Sequence, residues 1–253
     1  MRAQRAYYDV RGLGAPDDEL RRVLRVAAPW VHRFGGWPLT LEVFPLADGL
    51  TPRQRRAVAI LSPGTAEDHR NDLAASWGVA HRTDLLTQID EGLATGVHSA
   101  AFAAAGRFGE PAILEQIAAT TDVPLDDLVD LVNPRADGVP QLLWGWDLIR
   151  LHTILRSGVS AGYVDPATAL PRLHRIADLV TTLFPTEESL VRNLLVGHAF
   201  WAGLEGRAET RSRVALAQED LAGEWPRTLG PWPAPPAGGV ELVPPMADGF
   251  ATA

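Results

Sequence analysis

Cysteine and lysine are both absent from these 253 residues, and methionine occurs only twice. Without cysteine there are no disulfides, thiolate nucleophiles, cysteine-ligated zinc sites or iron–sulfur clusters. All 23 basic residues are arginine, so no side-chain amine is available for a Schiff base or for the lysine of a P-loop or kinase. No apolar run approaches the ~20 residues that a membrane-spanning helix requires. The opening "MRAQRAYYDVRGLG" carries arginines with no apolar stretch behind them, unlike a secretory signal. A cytoplasmic location and no membrane partner are the expectation. Net charge is −8, and the arginines are dispersed with carboxylates nearby, as in "DDELRRVLR". No stretch concentrates basic charge as a nucleic-acid-binding face does, so nucleic acid is not an expected partner.

What is present is helical periodicity. In "APDDELRRVLRVAAPWVHRFGG", Leu20, Val23, Leu24, Ala27, Trp30, Val31 and Phe34 recur every three or four residues. One helix is predicted there, with Asp17 and Asp18 in its first turn and Gly35 and Gly36 at its end. Residues 40–44 form a strand-like run bracketed by Pro38 and Pro45, read as a loop because it lacks a partner. Further helices begin at Thr51 and Thr65 as N-caps, with Pro52 at a first helical position and Gly78 as a stop. Others run to Gly96 and Gly106, then through "EPAILEQIAATT" and "PLDDLVDLV". "NPRADGVP" separates the halves. The second half is predicted to hold a helix over residues 140–157 stopped by Gly158, and a helix entered by Asp165 and Pro166. Pro171 should kink that helix or delay its start. A helix capped by Thr186 and a last one in "RAETRSRVALAQEDLAGEW" follow. From Pro226 prolines and glycines dominate, giving an extended or disordered tail. The expected fold is all-α, an irregular bundle of about eight to ten helices. Residues 1–64 are N-terminal helices and loop, 65–225 the helical core, and 226–253 the tail.

Catalytic patterns are weak. "GVSAG", residues 158–162, matches the G-x-S-x-G nucleophile elbow, with Asp178 and His198 following in serine–acid–histidine order. The elbow needs a strand entering a tight turn at the top of a sheet; here a helix enters, so the glycines are read as a helix end and turn. The seven histidines form no H-E-x-x-H pair and no Glu-x-x-His element, so neither a metal nor a cofactor is expected. The G-x-G in "RGLGAPDDE" lacks a preceding strand and a third glycine, which argues against a phosphate loop.

The densest cluster is "LLWGWDLIR", residues 142–150, where two tryptophans, an aspartate and an arginine sit in an apolar run. On a helix Trp144 and Trp146 lie roughly 200° apart, Asp147 and Arg150 are neighbours, and Arg150 can lie over Trp146. Buried charge persists only with partners. Asp147 is therefore either neutralised inside a core, by Arg150, a tryptophan N–H or another helix's N-terminus, or it lines an indole-walled pocket with Arg150.

"WDLIR", "AGYVDPATAL" and "GHAFW", with the upstream "SWGVAHRTDLLTQIDEGLATGVHSAAF", together resemble a bacterial family known as domain of unknown function 1266 (YbeU/YbeR-like). The resemblance covers residues 73–201. It implies no activity, but it marks Trp77, Gly96, Phe102, Trp146, Asp147, Arg150, Gly162, Tyr163, Gly197, Phe200 and Trp201 as pattern positions. His198 stands where the pattern has arginine, and "FPTEESL" lacks a tryptophan.

The leading expectation is a non-enzymatic, cytoplasmic helical module acting through protein–protein contacts, with Trp225 and Trp232 of the tail as a possible docking element. The alternative is a small-molecule binder or enzyme with a tryptophan-lined pocket. Its candidate residues are Trp77, Trp146, Asp147, Arg150, His152, Tyr163, His198 and Trp201.

Overall fold

The computed structural model describes residues 9, 16–33, 36–38, 40–44, 46–58, 64–107, 111–132, 141–203, 207–222, 230–242 and 246. The regular elements among them are helices: α1 (Asp18–Arg25), α2 (Ala28–Arg33), α3 (Pro52–Val58), α4 (Ala66–Trp77), α5 (Arg82–Thr95), α6 (Val97–Arg107), α7 (Pro111–Thr121), α8 (Leu125–Val132), α9 (Trp144–Ser160), α10 (Pro166–Leu183), α11 (Glu187–Gly203) and α12 (Arg207–Ala222). The fold is all-α. Residues 40–44 are a series of bends, and the extended pairing seen among the described residues is an isolated bridge between Leu46 and Gly64. No helix among them is long and apolar enough to cross a membrane. The G-x-G of Gly12 and Gly14, the break at residues 133–140 and Trp225 lie outside the described residues.

Several helix starts follow from residues next to them. The Asp17 side chain accepts the Leu20 N–H at 2.7 Å. Thr51 and Gln54 exchange hydrogen bonds at the start of α3, and Thr65 and Asp68 form a capping box at α4. Asp165 accepts the Thr168 N–H, and Thr186 and Ser189 pair at α11. Each supplies an acceptor to first-turn N–H groups that have no helical partner.

Boundaries differ from expectation in three helices. The first helix breaks at a turn over Val26 and Ala27 into α1 and α2. α6 continues through Gly106 to Arg107. α9 passes Gly158 and ends after Ser160. Gly158 is needed for close packing rather than termination, because a Cβ there would stand 2.2 Å from Leu85 Cδ2. The stop is Gly162, at φ +76°: its N–H donates to the Val159 carbonyl and the Tyr163 N–H to the Gly158 carbonyl, a Schellman closure. α10 starts at Pro166, as expected, and runs through Pro171, which does not delay that start. Pro171 and Ala167, whose carbonyl it deprives of a helical donor, are both exposed. Ser160 of the elbow-like pattern is buried, and its hydroxyl donates to the Arg156 carbonyl at 3.3 Å.

The chain forms two compact units, and the division falls inside α5, α9 and α10. The first comprises Met1–Ile89, Leu151–Ala177 and Pro226–Pro233. Its core includes Val23, Leu24, Leu73, Leu85, Ile89, Leu155, Leu173 and Ile176. Within it the fully buried Arg156 donates from Nη2 to the carbonyls of Trp37 (2.6 Å), Thr40 (2.7 Å) and Glu42 (3.2 Å), and from Nε to Leu41 (3.2 Å). One guanidinium thereby ties together the carbonyls of Trp37 and of residues 40–42. Arg25 Nε donates to the Gly230 carbonyl, and its guanidinium lies 5.6 Å from the centre of the Trp232 ring. Residues 230–242 contain no regular element.

The second unit comprises Asp90–Arg150, Asp178–Trp225 and Ala234–Ala253. There α11 packs against α12, α7 and α6, while α8 packs on α6 and α7. Its core includes Phe102, Leu128, Trp144, Trp146, Leu148, Phe184, Leu190, Leu194 and Phe200.

Candidate functional site

The cluster predicted around Asp147 exists in the second unit, and its construction begins at a glycine. Gly96 follows the last residue of α5 at φ +61°, a left-handed conformation that glycine adopts without steric cost. Its carbonyl accepts the Ala100 N–H, which makes it the N-cap of α6. Glycine offers no side-chain acceptor, and a Cβ at this position would lie 2.4 Å from Trp144 Cη2. No capping side chain fits there.

Asp147 supplies the cap from another helix. Its Oδ1 accepts the His98 N–H at 3.1 Å and its Oδ2 the Ser99 N–H at 2.9 Å. A second contact of 2.7 Å joins Oδ1 to His98 Nδ1. The carboxylate is 5% exposed and sits at the positive end of the α6 dipole, where negative charge is favoured. Of the partners expected for a buried Asp147, another helix's N-terminus is one the structure realises.

The start of α9 is built the same way. Its N-cap is Leu143, whose carbonyl accepts the Asp147 N–H and whose side chain has no acceptor. Asn193 of α11 replaces it: Oδ1 accepts the Trp146 N–H at 3.3 Å, while Nδ2 donates to the Leu142 carbonyl at 2.7 Å. The crossing of α9 and α11 is close. A Cβ on Gly145 would meet Asn193 Oδ1 at 2.7 Å, and one on Gly197 would meet Trp146 Cβ at 2.4 Å.

Around this crossing the aromatic rings interlock. Trp146, 2% exposed, stacks on His198 with ring centres 5.5 Å apart and meets the His98 ring edge-on at 6.1 Å. Trp201 lies 6.2 Å from Trp146. The Arg150 guanidinium sits 5.1 Å from the Trp146 ring centre and 5.8 Å from that of Trp201, and Arg213 approaches Trp201 to 5.4 Å. Burial lowers the Arg150 pKa to about 10, while the charge of Asp147 pulls it upward, so Arg150 remains cationic at neutral pH. Phe102 and Phe200 meet edge to face at 5.5 Å.

Trp146, Asp147, Arg150, His198 and Trp201 are therefore brought together, with Gly96, Gly197, Phe102 and Phe200 of the family pattern in the same unit. Trp77, Tyr163 and His152 belong to the first unit. Trp77 is the last residue of α4, and Tyr163 follows Gly162 in the closing turn of α9. The buried His152 ring donates from Nε2 to the Val23 carbonyl at 3.2 Å. Burial and then the nearby Arg156 charge lower its pKa to about 3, so it is neutral. Sequence reasoning missed His98, Asn193, Arg213 and Arg156. His98 lies in the upstream family segment, but nothing in its spacing connects it to a carboxylate 49 residues later. Among the described residues no three His, Asp or Glu side chains gather as a metal site would require.

A separate cleft of about 420 Å³ in the second unit is lined by residues of α8, by Gln141 and by the first turns of α11. None of the predicted site residues lines it.

Comparisons with curated proteins and with solved structures found no match. Residues 72–225, more than half of the chain, match the family model described as a protein of unknown function, DUF1266, and the chain belongs to that family.

Proposed function

We propose that the protein is a non-enzymatic helical module that acts through contacts with another protein. The observation supporting this is how Asp147 is used. Both of its oxygens accept backbone N–H groups of α6, and its side chain is only 5% exposed. A catalytic carboxylate needs a free face within hydrogen-bond reach of a substrate proton; this one is spent on holding a helix. The family-pattern residues near it are likewise accounted for by helix capping and close crossing, which leaves the surface for recognition.

One feature favours a small-molecule reading. His98 is held through Nδ1 by Asp147, its side chain is 17% exposed, and no hydrogen bond to Nε2 occurs among the described residues. A buried carboxylate that fixes an imidazole tautomer also orients catalytic histidines.

Native mass spectrometry and crosslinking of the full chain, recovered from its own cells at native abundance, separate the two. The protein-contact reading expects a discrete complex with another polypeptide. A chain recovered without protein but with a retained small molecule, lost on His98→Asn, overturns it.

A further inference from the structure

We infer that His152 is an acid-operated latch, whose protonation releases the N-terminal segment (α1, α2 and residues 36–38 and 40–44) from the second half of α9. The latch lies within the first unit and is independent of the protein-contact reading.

His152 and Arg156 stand one turn apart on α9, and both reach back to residues before 45. The fully buried His152 ring donates through Nε2 to the Val23 carbonyl at 3.2 Å. Val23 carries one of the last four carbonyls of α1, which lack donors inside a helix. This imidazole therefore serves the end of α1 as Asp147 serves the start of α6. Arg156 gathers the carbonyls of Trp37 and of residues 40–42. The first turn of α9, by contrast, is held by Asn193 and by the bonds of Asp147 to α6. When the pair on α9 loses its hold, the N-terminal segment is the part that can leave.

With Nε2–H committed to Val23, Nδ1 carries the lone pair, and this buried atom has no hydrogen-bond partner. A proton acquired there would have no acceptor, in a site whose burial disfavours charge. The charge that acts on the ring is Arg156, of the same sign. On α1, Arg25 is turned to Gly230 and Trp232, and Glu19 meets His174 of α10 at 3.5 Å. No carboxylate among the described residues acts on the ring. Burial and then Arg156 hold its pKa at about 3, against about 6.5 once the ring is hydrated. Between these values the open form binds a proton that the closed form refuses, so acid favours opening. Opening relieves the unpaired N–H and the repulsion from Arg156 in one movement.

The test is hydrogen exchange of the full chain at pH 7 and at pH 4.5, read as protection factors so that the intrinsic pH dependence drops out. Amides of α1, α2 and residues 40–44 are expected to lose about 70-fold in protection, the ratio that pKa values of about 3 and about 6.5 give over this interval. Those of α6 and α11 should lose no more than about threefold, as separate units of local opening do. The ring nitrogens of His152, followed by their ¹⁵N shifts, should protonate together with the loss in α1. His152→Gln, which still donates to Val23, should keep the protection seen at pH 7 and lose the acid response. Loss of protection in α1, α6 and α11 together, a His152 ring that protonates while α1 stays protected, or an unchanged acid response in His152→Gln overturns the inference. If the glutamine variant fails to fold, the wild-type order decides: α1 opening before α6 and α11 supports the latch, and all three opening together removes it.

Discussion

Asp147→Asn exchanges one side-chain oxygen for an NH₂ group and removes one charge, with almost no change in volume. In the wild type the two oxygens serve the His98 N–H, the Ser99 N–H and His98 Nδ1. Asparagine has a single acceptor, so one N–H of the first turn of α6 must face an amide nitrogen. Leaving a buried donor unmet costs about 1–3 kcal/mol. Loss of negative charge at a partly buried helix N-terminus adds about 0.3–2 kcal/mol. Together they predict a destabilisation of about 1–5 kcal/mol, equivalent to a fall in Tm of about 3–20 °C for a chain of this size. Urea unfolding followed by far-UV circular dichroism measures it, and hydrogen exchange at the His98 and Ser99 amides localises it. A variant within about 0.5 kcal/mol of wild type, with those amides still protected, would refute the capping argument and return Asp147 to a ligand-facing role.

Gly197→Ala should destabilise by about 1–3 kcal/mol through overpacking, because its Cβ would stand 2.4 Å from Trp146 Cβ; Gly203→Ala, whose Cβ would meet nothing closer than 3.8 Å, should be neutral or slightly stabilising in the same melts. His152, neutral in the fold with its pKa near 3, lets the unfolded chain bind a proton that the native chain refuses. Stability should therefore fall as pH drops below about 6.5, by up to about 3 kcal/mol at pH 4. His152→Gln, which can still donate to Val23, should flatten that limb of the stability profile, and an unchanged acid limb would contradict it. Arg156→Lys offers one ammonium to carbonyls that a guanidinium reaches in parallel, so about 2–4 kcal/mol should be lost. Proteolysis and hydrogen exchange should rise over residues 37–44, and an unaltered loop would show that the carbonyl cage contributes little.

Helices with their own caps were legible in the sequence. Asp17, Thr51, Thr65, Asp165 and Thr186 stand beside the N–H groups they serve, so composition and spacing suffice to place α1, α3, α4, α10 and α11. The all-α class followed from the same periodicity. The starts of α6 and α9 were not legible in this way, because Gly96 and Leu143 carry no acceptor and the residues that cap them lie 49 and 47 positions away along the chain. Gly158 misled for a related reason: its lack of a side chain answers to Leu85 across the packing interface, not to the local turn. In "LLWGWDLIR" the spacing showed that Asp147 and Arg150 needed partners. The four-residue step to Trp146 placed Arg150 over that ring, as the structure has it, but nothing in the spacing chose Ser99 and His98 for Asp147 or added the face of Trp201 for Arg150. Arg156 shows the same limit, since its carbonyl partners lie more than a hundred residues earlier.

The capping of α6 by Asp147 and of α9 by Asn193 also has an order in time. As the chain emerges from the ribosome, the first turn of α6 has no acceptor until residue 147 arrives, and the turn that carries Asp147 has none until residue 193 follows. Short helices without a cap are marginal in water, so these two should remain fluctuating until α11 is made and then consolidate together. A nascent chain halted before Asn193 would expose the tryptophans of α9 on an unanchored helix, and chaperones or proteases would meet it in that form.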